Sequence, residues 1–252
     1  MTARGAKEAV SVSDSHYPGN EADRPRLLAP PVTGVVLWWC PLVADDDTLP
    51  RLASWLSPEE HARASRFGRP FLARRYIVGR AALRFVLAGR LGTQPAAVPI
   101  EHDSRGRPRI AIEGTPDFNV TNTGDAAMFG LVEQPNARIG VDLEPIDRHV
   151  NDAGLSRRVC TAAERQSLDA LGDEARRHAF LRLWTCKEAM CKATGEGFAA
   201  PFDEIDVARE PELALIGGPP PYRPGAWTLL DASVPEGFVG TVALWLRGDE
   251  SR

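Results

Sequence analysis

Two long helical stretches, about 71–91 and 174–194, each accompanied by a few short strands, set narrow limits on how this chain can fold. The first ends near Gly92. Strands are expected at 35–40, at 118–121 and 128–132 around Gly124-Asp125, at 138–144 ahead of Pro145, and at 227–230 and 239–246. A Gly-Asp pair between two apolar runs is a hairpin signal. Ser57-Pro58-Glu59-Glu60 marks another helix start: serine caps, proline fits the first turn, and acids sit at the positive end of the dipole. A shorter helix is expected at 162–171, a turn at Arg105-Gly106-Arg107-Pro108, and loops at 45–47 and 217–221. One long helix and a small strand set per half point to an α+β fold. It reads as a pseudo-twofold single-chain dimer of two similar halves, each a long helix packed on a small, mostly antiparallel sheet. Gly79-Arg80-Ala81-Ala82-Leu83 echoes Cys186-Lys187-Glu188-Ala189-Met190. A chance likeness between two alanine-rich helices is the competing explanation. The halves are expected at 31–132 and 133–248, after a loose polar tail at 1–30.

Bulk properties exclude several classes. At 252 residues the chain suits one domain or two fused half-size units. Its 30 basic residues are outnumbered by 34 acidic ones, a net charge of −4, which argues against nucleic acid as the main ligand. No segment approaches the roughly eighteen apolar residues of a membrane span, and the polar start is no signal peptide. Cys40, Cys160, Cys186 and Cys191 form no Cys-x-x-Cys, so free thiols in a reducing cytoplasm are expected rather than a zinc site or disulfides. His16, His61, His102, His149 and His178 are scattered without ligand spacing.

Only three of the basic residues are lysines, Lys7, Lys187 and Lys192, and two share one short segment. Against so strong an arginine background, that pair suggests a need for a compact, proton-exchanging cation, suited as a point charge to phosphate. The plain alternative is an exposed helix with a Glu188–Lys192 pair, worth a few tenths of a kcal/mol. Strand alternation puts Asp142 and Glu144 on one face and Val141 and Leu143 toward the core; a solvent-facing edge is the alternative. Trp184, Glu188 and Lys192 form one helical stripe, with Trp184 packing inward at its edge. Where that strand and helix meet, three carboxylates and two ammoniums converge. Hard oxygen ligands describe a magnesium site, and neighbouring lysines a diphosphate partner.

The motif Gly140-Val-Asp142-Leu-Glu144, followed by Trp184-x-x-Lys187-Glu188-Ala189-x-x-Lys192, resembles the Sfp-type 4'-phosphopantetheinyl transferases, in the subgroup with the Trp and Lys-Glu-Ala wording. Gly106-Arg107-Pro108 and the stretch from Phe118 to Gly124 are similar to the family's first two signatures, and Arg63, Arg66 and Arg75 to its N-terminal helices. The resemblance implies an enzyme that carries 4'-phosphopantetheine from coenzyme A, its co-substrate, to a serine of an apo acyl or peptidyl carrier protein. The alternative is a degenerate relative that binds coenzyme A or a carrier protein without turnover. It further implies that Asp142, Glu144 and Glu188 ligate Mg2+, with Mn2+ as the other candidate ion. Glu188, or a metal-bound water beside it, would take the serine proton. Lys192 would steady or protonate the departing phosphate, and Lys187 would hold the pyrophosphate. Gly106, Arg107 and Pro108 would border the adenine, with Thr121 and Asn122 also at the cofactor, and Arg63 with Arg75 would grip the 3'-phosphate. Glu164 matches a glutamate that helps arrange the site, an exposed helix charge being the alternative. Two departures stand out. The family commonly has Ser-His-Ser where this chain has Thr121-Asn122-Thr123, and a basic residue where it has Glu60. Both fall on the expected 3'-phosphate grip. Arg157-Arg158 and Arg176-Arg177 are candidates to meet an acidic carrier protein, a solvated helix face being the alternative. A monomer is expected.

Overall fold

Capping side chains and glycines set the helix bounds in the computed structural model, which describes residues 17–148 and 153–248. Lys7, His16, His149 and the first part of the segment read as a tail lie outside the described residues. Contacts divide the chain into two units: Met1–Arg26 with Cys40–Pro99, and Leu27–Trp39 with Ile100–Arg252.

The first unit is helical: α1 (Thr48–Ala53), α2 (Pro58–Ala64) and α3 (Pro70–Leu91). Ser57 and Glu60 form a reciprocal capping box at the start of α2, with bonds of 3.2 and 2.9 Å. Gly92, at φ 65°, ends α3 in the left-handed conformation that a side chain disfavours. Helix α1 is unforeseen; Asp45 accepts from the Thr48 amide at 2.6 Å and turns the acidic loop into a helix start. The expectation of a loose tail through residue 30 fails from Tyr17 onward. That ring is buried and packs edge-on against Phe85 and Trp55, with centroids 5.0 and 5.8 Å away. Glu60 also departs from its expected place at a phosphate grip. It is buried and accepts from Arg80 at 2.8 Å and Arg84 at 2.6 Å. Burial alone would raise its pKa, but Arg80 and Arg84 outweigh that and hold it below the ordinary value.

The second unit takes Leu27 of β1 (Arg26–Leu27) and Val35–Trp39 of β2 (Val35–Pro41), and contains β3 (Ile100–His102), β4 (Pro108–Ile110), β5 (Asp117–Thr123), β6 (Ala126–Val132) and β7 (Ala137–Pro145). It continues through α4 (Ala153–Val159), α5 (Ala162–Asp169), α6 (Asp173–Thr194), β8 (Asp206–Ala208), β9 (Ala214–Gly217), β10 (Trp227–Asp231) and β11 (Phe238–Leu246). Four strands pair in the order β1-β2-β6-β5 and three in the order β10-β11-β7, while β3-β4 and β8-β9 are small two-stranded sheets. The expected hairpin is present: β5 and β6 are antiparallel, with Thr123 opposite Ala126 across Gly124-Asp125. Strand β11 lies antiparallel between β10 and β7, placing Thr241 opposite Asp142 and Val239 opposite Glu144. The α+β class with small antiparallel sheets is therefore present.

Strand β7 separates two cores. Val141 and Leu143 pack with Val35, Leu37, Met128 and Val242, whereas α6 buries Leu183, Cys186 and Met190 with Leu229 and Ala243. All four cysteines are free and buried. Among the described residues, no helix is long and apolar enough to cross a membrane.

Candidate active site

The site arises where β7 meets α6, and Gly140 permits the approach. A Cβ at Gly140 would lie 1.8 Å from the Ala189 carbonyl oxygen and 2.8 Å from the Ala193 nitrogen, so only hydrogen fits there. Strand alternation then turns Asp142 and Glu144 to the same, helix-facing side. Both are buried, at 5% and 8% exposure, which removes the solvent-edge alternative. Along the second half of α6 most side chains are buried, but Trp184, Glu188 and Lys192 form a half-exposed line.

Strand and helix are joined there by polar contacts. Lys192 Nζ donates to Asp142 Oδ1 at 2.7 Å, to Thr121 Oγ1 at 3.0 Å and to the Val141 carbonyl at 3.2 Å. Thr121 in turn donates to Asp142 Oδ1 at 3.1 Å. Trp184 Nε1 donates to Glu144 Oε1 at 3.1 Å, and Arg148 pairs with the same oxygen while its guanidinium lies 5.3 Å over the Trp184 ring. Burial first, then the charge of Asp142, raises the pKa of Glu144, against the pull of Arg148. Burial and then Asp142 likewise raise Glu188, with Glu144 adding to the effect and Lys192 opposing it. Glu144 therefore feels the charge of Asp142, and Glu188 feels both.

Asp142 Oδ2 is buried without a hydrogen-bond partner. A buried carboxylate oxygen left unpaired beside two further carboxylates suits a hard cation, and the oxygen-only donor set suits magnesium. Among the described residues, no three of His, Cys, Asp and Glu stand ready as a metal cluster; here Asp142 and Glu144 take their counter-charge from Lys192 and Arg148.

Other expected residues are placed differently. Lys187 is fully buried, and its ammonium donates to Glu164 Oε2 at 2.6 Å, the Val159 carbonyl at 2.7 Å and the Phe202 carbonyl at 2.8 Å. Its side chain is 0% exposed and its charge is met by Glu164, so it is closed off from a pyrophosphate, which corrects that expectation; the Lys192 side chain, at 27%, remains accessible. Glu164 is no exposed helix charge. It is buried, caps α5 with Thr161 and accepts from the Val207 amide at 2.9 Å. Arg107, expected beside an adenine, is buried at 6% exposure and points inward, while Gly106 is exposed and Pro108 half-buried. Asn122 is exposed and alternates with Thr121 along β5, so the two do not share a face. Arg63 and Arg75 lie in the first unit, their guanidiniums over Tyr76 at 5.6 Å and Phe71 at 5.0 Å. Arg148, Asp117 and Asn119 were not anticipated. Asp117 and Asn119 accept from the Ile139 and Val141 amides at 2.9 and 3.1 Å, so β5 satisfies the free edge of β7 through side chains.

A family model for the 4'-phosphopantetheinyl transferase superfamily matches residues 138–242, the span from β7 into β11. The 4'-phosphopantetheinyl transferase HetI of Nostoc sp. is 37% identical over 215 residues, covering 83% of this chain and 87% of that protein. The 4'-phosphopantetheinyl transferase Sfp of Bacillus subtilis is 26% identical over 160 residues, covering 62% and 68%. Among solved structures, a holo-(acyl-carrier-protein) synthase from Bacillus anthracis in complex with CoA aligns with a TM-score of 0.37 and 20% identity, over 44% of this chain and 96% of that one. The chain belongs to the 4'-phosphopantetheinyl transferase superfamily.

Proposed function

We propose that this protein transfers 4'-phosphopantetheine from coenzyme A to a serine hydroxyl of an apo acyl or peptidyl carrier protein, releasing 3',5'-ADP. Family membership supports the reaction. The observation that carries the reading is the contact of Lys192 on α6 with Asp142 on β7, Asp142 Oδ2 being buried and unpartnered, with Glu188 feeling the charges of Asp142 and Glu144. These three carboxylates would hold Mg2+, or Mn2+ in its place. When bound, such an ion supplies charge neutralisation at the pyrophosphate.

Phosphoryl transfer asks a protein mainly for positioning and charge compensation. Serine is a weak nucleophile at neutral pH and needs a base. Glu188 takes its proton: the carboxylate stands on the half-exposed line of α6, one helical turn from Lys192. The serine oxygen bonds to phosphorus as the bond from phosphorus to the bridging pyrophosphate oxygen breaks. Lys192 steadies the departing phosphate with its ammonium and can protonate it. Arg63 and Arg75 are assigned to the 3'-phosphate, and Gly106, Pro108, Thr121 and Asn122 to coenzyme A, by family resemblance. The subgroup with the Lys-Glu-Ala wording, a monomeric state and action in the cytoplasm without nucleic-acid partners are parts of the same reading. So is a duplicated origin of 31–132 and 133–248. In support, α3 and α6 both close on a left-handed glycine whose amide donates back to the carbonyl four residues earlier.

The test is intact mass of an apo carrier protein after incubation with coenzyme A and Mg2+. We expect a gain of roughly 340 Da, the mass of the attached group. Chelation should abolish it, and Asp142→Ala should slow it by at least about 10²- to 10³-fold. Binding of coenzyme A without any mass gain would show a module that has lost turnover and would sink the proposal.

A further inference from the structure

We infer that Arg107 is a positioning residue, and that with Asp117 it clamps the last turn of α6 to β7 so that the Lys192 ammonium meets Asp142. This rests on the role given to Lys192 above.

The Arg107 side chain is consumed inside the protein. Nε donates to the Lys192 carbonyl at 3.0 Å, and Nη2 to the Ile139 carbonyl at 2.7 Å. The two terminal nitrogens also grip Asp117 in parallel, at 2.7 and 2.6 Å, the fork-on-fork geometry that holds a guanidinium most firmly. Nη1 has a longer contact, 3.5 Å, to the Pro108 carbonyl. No nitrogen of the fork is left for a ligand. Asp117 Oδ2 meanwhile accepts from the Ile139 amide at 2.9 Å. The pair thus engages both main-chain polar groups of Ile139 on β7 and one carbonyl on α6.

That carbonyl belongs to the last four of the helix, which have no partner within it. A second of these carbonyls is treated alike: Arg105 donates to the Thr194 carbonyl at 3.3 Å. Lys192 is therefore tied to β7 twice, through its main chain to Ile139 by way of Arg107, and through its own ammonium to Val141 and Asp142. Without the first tie, the final turn is free to fray, and the ammonium loses its fixed distance from the carboxylate. Lysine at position 107 would restore the charge but not the planar fork that spans three partners.

The experiment is steady-state transfer by the full-length protein, with coenzyme A, Mg2+ and an apo carrier protein. It compares wild type, Arg107→Ala, Arg107→Lys, Lys192→Ala and the double variant Arg107→Ala/Lys192→Ala. We expect Arg107→Ala to lower kcat about ten- to a hundredfold, the scale on which small misplacements act. KM for coenzyme A should stay within about twofold, and Arg107→Lys should recover little. Once Lys192 is alanine, removing Arg107 should cost nothing further. A merely structural role would lower activity in both backgrounds alike, so losses that multiply overturn the inference. A raised KM for coenzyme A with kcat held would also overturn it, by placing Arg107 on the substrate. Near-normal turnover by Lys192→Ala would remove the assigned role of Lys192 itself, and the inference with it. Should Arg107→Ala fail to fold, Asp117→Asn breaks the same clamp at constant size and carries the same cycle.

Discussion

Successive side chains on α6 turn by about 100°, so Lys187 and Lys192 leave the helix in different directions. Lys192 stays on the line of Trp184 and Glu188; Lys187 faces α5 and the Glu164 carboxylate. The two cations therefore do different work. Lys187 neutralises a fully buried carboxylate, and removing one member of such a pair leaves a charge uncompensated. Lys187→Met should accordingly lose about 3–5 kcal/mol in chemical denaturation with KM for coenzyme A unchanged. Normal stability with a raised KM would return Lys187 to the pyrophosphate. Glu188 supplies a pH signature. Its folded pKa lies above the ordinary 4.5, so the folded state holds the proton more tightly than the unfolded one. The associated stability is fully present below the ordinary value and is lost as pH rises through the higher folded value. In chelator, Glu188→Gln should therefore match wild type in thermal midpoint at low pH and exceed it near neutrality. Melting curves across pH check this, and a gap that widens on acidification would contradict it. Residue spacing put Trp184, Glu188 and Lys192 on one line, but the expectation that both ammoniums converge there fails at Lys187, whose partners lie 15 to 28 positions away. Nor does anything local announce Arg107's partners, which stand 10, 32 and 85 positions away.

Element boundaries followed local chemistry closely. The Ser57 box starts α2, Gly92 ends α3, and Pro145 closes β7. Helix α1 and the β3-β4 and β8-β9 pairs were illegible because six residues, or three to four, are too few to show a period. The closest contact between elements depends on a missing side chain. At Gly140 an alanine methyl would meet the Ala189 main chain, which cannot swing aside as a flexible side chain would. Gly140→Ala should therefore cost more than the 1–3 kcal/mol typical of overpacking, with transfer lost because β7 and α6 are forced apart. Thermal denaturation measures the first, and a midpoint within a degree or two of wild type would show that the strand can shift freely. The motif signalled the glycine; only the packing shows that it sets the strand–helix distance.

For the whole molecule, several arginines among the described residues are spent on carboxylates of the protein itself. Arg80 and Arg84 hold Glu60, Arg107 holds Asp117, and Arg182 holds Asp231. Because Glu60 is neutralised, it adds no free negative charge against a 3'-phosphate. The remaining departure is Asn122, an exposed amide that can donate a hydrogen bond but carries no charge. Coenzyme A should thus be favoured over dephospho-coenzyme A by less than about 10³ in specificity constant, a difference of about 4 kcal/mol. Paired measurements of kcat/KM would decide it, and a larger ratio would show that Asn122 costs nothing. By itself the sequence determined the bounds of the longer helices and strands, the shared face of Asp142 and Glu144, and the line of Trp184, Glu188 and Lys192, because caps, alternation and helical spacing act over a few residues. Only the tertiary structure decided which charges are spent in the interior and which face the site. That outcome depends on partners distant in the chain, brought within hydrogen-bond reach by the packing of α6 on β7.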